Sequence, residues 1–138
     1  MTLALQLYSM RDCADQIALL AQLPALGITK VEGYGGVYDD PAAYRAAMDV
    51  NGISMPSGHM GLDDIEADFE ATMSIVKTLG ITRVFAPYLE EKDRPDTAAG
   101  WTALGQRLNA AGQKYAERGI TFGWHNHDFE FVAVDSDE

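Results

Sequence analysis

Cysteine is almost missing from this sequence, with Cys13 the single example, so an internal disulfide is excluded and a reducing, cytoplasmic setting is expected. Basic residues are scarce too. Ten Lys and Arg stand against 21 Asp and Glu, a net charge of −11, and the cations never cluster. Binding to a phosphate backbone relies on clustered cations, so nucleic acid is not an expected partner. No apolar run approaches the roughly 18–20 residues that span a bilayer, so no membrane role is expected either. The opening MTLALQLYSMRD lacks a basic stretch followed by a long apolar run, and no signal peptide is expected. A nucleotide-binding glycine pattern is also absent: Gly33, Gly35 and Gly36 in EGYGG lack that spacing and read as turn residues. What is present is 138 residues with 47% hydrophobic content, enough for the core of one domain spanning 1–138.

One short signature recurs four times: Gly27-Ile28-Thr29, Gly52-Ile53-Ser54, Gly80-Ile81-Thr82 and Gly119-Ile120-Thr121. Each follows a helical periodicity and precedes a short apolar or β-branched segment. Glycine takes the left-handed position after a helix without a Cβ clash, and the isoleucine packs back on the last turn. Four such junctions predict alternating helices and strands.

The segments between fit that frame. Asp40-Pro41 supplies an N-cap and first-turn proline for a helix over 42–51. Asp63 or Asp64 caps a second, with Ile65, Phe69, Met73, Val76 and Leu79 at helical spacing. The longest carries Trp101, Leu104, Leu108, Ala111 and Tyr115 on one face. The first, from Asp12 or Asp15, buries Ile17, Leu20 and Leu23, with Pro24 disturbing its last turn. Strands are predicted over 3–8, 30–34, 54–59, 83–88 and 121–130. Right-handed crossovers make such a sheet parallel, an α/β arrangement.

Polar residues gather at the C-terminal ends of these strands: Gln6 and Tyr8, Glu32 and Tyr34, Ser57 and His59, Tyr88, then His125, His127 and Glu130. In parallel α/β folds that edge is where ligand sites form. The densest piece is GWHNHDFEF, residues 123–131. His125 and His127, two apart on a strand, point to one side, whereas Glu130 has the opposite parity unless the strand ends or bulges near Asp128. Imidazoles ligate divalent transition metals and titrate near working pH; a carboxylate suits a harder divalent cation.

As a set, LALQLYSMRD, VEGYGGVYDD, SGHMGLDD and GWHNHDFEF resemble the sugar phosphate isomerase/epimerase family of the xylose-isomerase-like TIM-barrel superfamily. That superfamily also holds inositol-catabolism isomerases and dehydratases, ketose 3-epimerases and endonuclease-IV-type enzymes. The resemblance implies a parallel (β/α) TIM-barrel type with about five of eight units present, a partial barrel apparently truncated after strand five. Such a piece leaves strand edges and a core face unpaired, so a homo-oligomer or complementing chain is an expected partner.

The resemblance implies a divalent metal, Mn, Zn, Co or Mg, at the barrel's top, with only the first part of its site in this chain. Glu130 is then the first metal ligand and His127 the next, with His125 a substrate contact or proton carrier. Alternatively, one histidine bonds a neighbouring strand end while Asp128 caps a helix. Gln6 and Tyr8 would form the floor and wall of a sugar pocket, or Tyr8 simply packs the barrel mouth. Glu32 binds substrate or pairs with Arg11 or another surface cation; His59 binds a substrate hydroxyl or orients water, or is a satisfied buried histidine. Arg94 is expected to be solvated, and Trp124 to face outward under the helices.

The implied activity is metal-dependent isomerisation or epimerisation of a sugar, sugar phosphate or cyclitol by proton transfer through an enediolate. A keto-sugar or keto-inositol dehydratase or lyase is the near alternative. An inactive half-barrel or structural subunit that needs a partner chain is the alternative of another class. DNA repair by the endonuclease branch is disfavoured by the acidic charge.

Overall fold

The structure, a computed structural model, describes residues 3–134. Five strands form one sheet in the order β1-β2-β3-β4-β5: Leu5–Gln6, Lys30–Gly33, Ser54–His59, Arg83–Ala86 and Thr121–Trp124. Every neighbouring pair is parallel. Five α-helices lie between them: α1 (Gln16–Leu20), α2 (Pro41–Asn51), α3 (Leu62–Ala67), α4 (Phe69–Leu79) and α5 (Ala98–Glu117).

All four Gly-Ile junctions act as the sequence predicts. Gly27, Gly52, Gly80 and Gly119 have φ between 64° and 76°, and they are the only residues with positive φ among those described. In each case the isoleucine N–H donates to a carbonyl five residues back: Ile28 to Leu23, Ile53 to Met48, Ile81 to Val76 and Ile120 to Tyr115. This bond closes the helix end and turns the chain toward the sheet. The next residue then joins the neighbouring strand start, as Ser54 N–H does to Thr29 and Thr121 N–H to Thr82.

Alternation along the strands sorts the side chains. Val31, Met55, Val84 and Ala86 are buried under the helices, where they meet Met48, Met73, Val76, Leu79 and Tyr115. A register shift between β2 and β3 lets Lys30 pair with Ser54 but Glu32 with Ser57. Gln6, Glu32 and Ser57 therefore stand in line across three strands, at their C-terminal ends.

Several sequence expectations need correction. The first strand ends at Gln6, and Leu7–Met10 forms a 3-10 turn that carries Tyr8. The fourth strand stops at Ala86. The fifth ends at Trp124, so His125, His127 and Glu130 lie beyond it, and strand parity does not govern where they point. The expected helix from Asp63 is two helices, because Asp68 accepts from the Ala71 N–H and starts α4 afresh. Helix α1 ends at Leu20 before Pro24, and Ile17 is exposed rather than buried.

Candidate functional site

Glu32 is the centre of the strand-end cluster. Its Oε1 accepts from Gln6 Nε2 at 2.8 Å and lies 3.2 Å from His59 Nε2; its Oε2 accepts from Ser57 Oγ at 2.6 Å. The Glu32 and His59 side chains are only 21% and 12% exposed, so these partners replace much of the water the carboxylate would otherwise hold. The His59 bond, with those from Ser57 and Gln6, holds the Glu32 carboxyl below its ordinary range against the opposing effect of burial. Gln6 Nε2 also lies 3.5 Å from His59 Nδ1, and its Oε1 accepts the Tyr8 N–H, which ties the turn after β1 to the network. The partners of Glu32 are thus its strand neighbours, not Arg11.

Three imidazoles line up beside this carboxylate. The rings of His59 and His125 are 4.8 Å apart, and those of His125 and His127 are 5.0 Å apart. His125 extends the sheet by one bond, from its N–H to the Ala86 carbonyl. Its pKa is lowered, first by desolvation and then by His59 and His127, although Glu32 and Glu130 pull the other way. Gly123 makes room on this face: a Cβ there would meet the Phe85 ring at 3.1 Å. Phe85 in turn packs edge-on against His59.

Around these residues is an open cavity of about 970 Å³. Gln6, Tyr8, Glu32, His59, His125 and His127 all line it; Glu130 does not. Tyr8 is half-exposed at the mouth, edge-on to Tyr34, with the Arg11 guanidinium over its ring. Among the described residues no lysine or arginine lines the cavity, whereas Glu32, Asp64 and Glu90 do.

Glu130 is used in holding its own loop. Its Oε1 accepts from Trp124 Nε1 and its Oε2 from the His127 N–H, both at 2.8 Å. Trp124 is therefore tied to the post-strand loop through its indole N–H. His127 Nδ1 is buried with no hydrogen-bond partner. Among the described residues no group of three or more His, Cys, Asp and Glu is gathered as a metal would need. Both Glu130 oxygens already accept hydrogen bonds inside the loop, and Glu130 is not part of the cavity lining.

Two residues escaped the sequence reading. Tyr38 lines the cavity, and its hydroxyl is buried without a partner against Gly33 and Gly58, which face each other across β2 and β3. A Cβ on Gly33 would come within 2.9 Å of that hydroxyl. Burial, then the Glu32 charge, then Tyr115 push the phenol well above its ordinary range. Gln16 donates to the Tyr34 hydroxyl at 2.7 Å and accepts from that of Tyr44, joining the second turn to α1 and α2. Only the glycine pair hinted at the first; nothing local marked the second.

No protein-family profile matches the sequence, and no curated protein does. Solved structures do. An AP endonuclease of family 2 from Brucella melitensis superimposes with a TM-score of 0.69 at 14% identity, over 90% of this chain and 55% of that one. The probable 3-DHS dehydratase AsbF from Bacillus anthracis, involved in petrobactin synthesis, gives 0.63 at 13% identity, over 88% and 51%. The fold is α/β, five parallel strands in one sheet with helices between them, and it matches about half of a TIM barrel. The chain spans about half the length of these TIM-barrel structures, and the likeness bears out the fold expected from the xylose-isomerase-like resemblance. Both neighbours carry enzyme names, but identities this low speak for the fold alone.

Proposed function

We propose that this chain provides the substrate-binding part of a TIM-barrel enzyme that moves a proton on a carbon next to a carbonyl of a sugar or cyclitol, giving isomerisation or epimerisation. The observation that carries this reading is the in-register Gln6–Glu32–Ser57 line, joined by His59, beside His125 and His127 in a cavity free of lysine and arginine. Glu32 Oε2 accepts one bond from Ser57 and has room for a second donor, which suits a substrate hydroxyl. Gln6 and His59 hold that carboxylate in place, so little reorganisation accompanies binding. His125, next to His59, takes the proton and returns it to the neighbouring carbon; epimerisation needs a second proton carrier on the opposite face.

The cation-free lining favours a non-phosphorylated polyol over a sugar phosphate, and it weighs against a DNA strand. Arg11 and Arg94, the arginines seen at the rim, already lie over Tyr8 and Tyr88. A divalent cation in this cavity would take His127 from this chain, with Glu130 only on release of its bonds to Trp124 and the His127 N–H, and further donors from elsewhere. When bound it would polarise the substrate carbonyl. The edges of β1 and β5 have no strand neighbour among the described residues, and we include in the reading a second copy or complementing chain that covers them.

Loss of a β-hydroxyl after the same proton removal gives a dehydration instead. Incubating the protein and a divalent metal with ketoses, ketose phosphates and keto-cyclitols, followed by NMR of the products, separates these outcomes. A new stereoisomer or aldose from an unphosphorylated ketose or keto-cyclitol is expected. Cleavage of abasic DNA with no change in any carbohydrate would overturn the proposal.

A further inference from the structure

The sequence leaves Arg94 as a solvated loop residue, yet the structure gives it four contacts, three of them with two rings that flank one imidazole. Its Nε donates to the Leu89 carbonyl at 3.1 Å, and a terminal guanidinium N–H donates to the Tyr88 hydroxyl. The guanidinium carbon lies 4.1 Å from the centre of the Phe129 ring and 5.1 Å from that of Tyr88. Among the described residues no carboxylate pairs with it. Its charge is therefore directed at two aromatic faces, which attract a planar guanidinium more effectively than a point-like ammonium.

Those two rings flank His127. Tyr88 meets it edge-on at 5.0 Å, and Phe129 lies parallel to it at 5.9 Å, itself backed by Trp101 at 6.4 Å. The His127 backbone is fixed by Glu130, but its ring has no hydrogen bond at Nδ1. Aromatic packing is what sets the ring's direction. Arg94 joins the loop after β4, which carries Tyr88, to the turn after β5, which carries Phe129, and so holds both sides of that packing together.

We propose that Arg94 is a positioning residue for His127, acting through Tyr88 and Phe129. The inference rests on the reading above only for the value it gives His127 as a site residue. Its test is independent of turnover: NMR of the three histidine rings in protein labelled at histidine, for the wild type, R94A and R94K. The His127 ring signals should move toward free-imidazole positions in R94A, while those of His59, held by Glu32 and Gln6, stay in place. R94K should recover little, because one ammonium nitrogen lacks the planar fork with which Arg94 reaches Leu89, Tyr88 and the Phe129 face together. Unmoved His127 signals in both variants would overturn the proposal. So would an equal shift of all three histidines, the mark of general loosening, or full rescue by lysine.

Discussion

Glu32→Ala is expected to lower the rate of proton transfer about 10²–10⁴-fold, the usual worth of a positioned acid–base network. The substitution removes the acceptor shared by Gln6, Ser57 and His59, so three donors lose their common partner at once. Glu32→Gln should lose nearly as much, because an amide oxygen accepts but its nitrogen then faces a donor from Ser57 or His59. Stability should fall by about 1–3 kcal/mol in the alanine variant, the cost of leaving half-buried donors unpaired. The pH dependence has a defined sign. The folded carboxyl is held below its ordinary value of 4.5, so the unfolded chain takes up the proton first as acid is added. The stabilisation is complete above that value and is lost as the pH falls through the lower, folded pKa. Acid unfolding of Glu32→Ala, followed by circular dichroism, should lack that component.

Tyr115→Ala should be the most damaging single change to the fold, at about 3–5 kcal/mol. Tyr115 is fully buried on α5, its ring stacked on Phe122 of β5 at 5.5 Å and edge-on to Phe69 of α4 at 5.0 Å. Its hydroxyl bonds to Thr72 at 3.2 Å and contacts the Met60 sulfur. The ring thus joins the last helix to the last strand and to the preceding helix. Set against the 5–15 kcal/mol that typically holds a domain together, roughly half the margin goes. Tyr115→Phe keeps the packing and should cost about 1 kcal/mol, the worth of one hydrogen bond. Urea unfolding of the two variants beside wild type measures both values; a loss under 1 kcal/mol for alanine would mean that α5 does not hold the sheet as described.

The alternation of helix and strand was legible because glycine at a left-handed φ followed by a buried isoleucine is a local device, written in three residues. The third strand, Ser54–His59, was legible for the same reason, bounded by a junction before it and SGHMGL after it. The fifth, Thr121–Trp124, is shorter than its pattern predicts. Residues 125–131 alternate aromatic and polar side chains as a strand would, but the Glu130 carboxylate accepts from Trp124 and from the His127 N–H, which folds them back into a turn. The helix after Asp63 was read as one because its apolar spacing runs unbroken through Asp68, whose capping role shows only in the backbone.

At the site, the sequence placed Gln6, Glu32, Ser57 and His59 at one edge but did not pair them. Their pairing depends on a register shift between β2 and β3 that no local pattern records. The Arg94 contacts follow the same logic. Tyr88, Arg94 and Phe129 meet only because two loops, more than thirty residues apart in sequence, leave neighbouring strands at the same edge. Short-range chemistry was readable, and cross-strand chemistry was not.

The central claim, proton transfer next to a carbonyl in the Glu32–His125 cavity, is tested most directly by solvent exchange. Unphosphorylated ketoses and keto-cyclitols are incubated with a divalent metal in deuterium oxide with wild type, Glu32→Ala and His125→Ala, and deuterium at the carbon beside the carbonyl is followed by NMR. The account predicts exchange by the wild type that each substitution slows at least about 100-fold. Equal exchange in all three proteins, or none above the protein-free rate with any of these substrates, would contradict it.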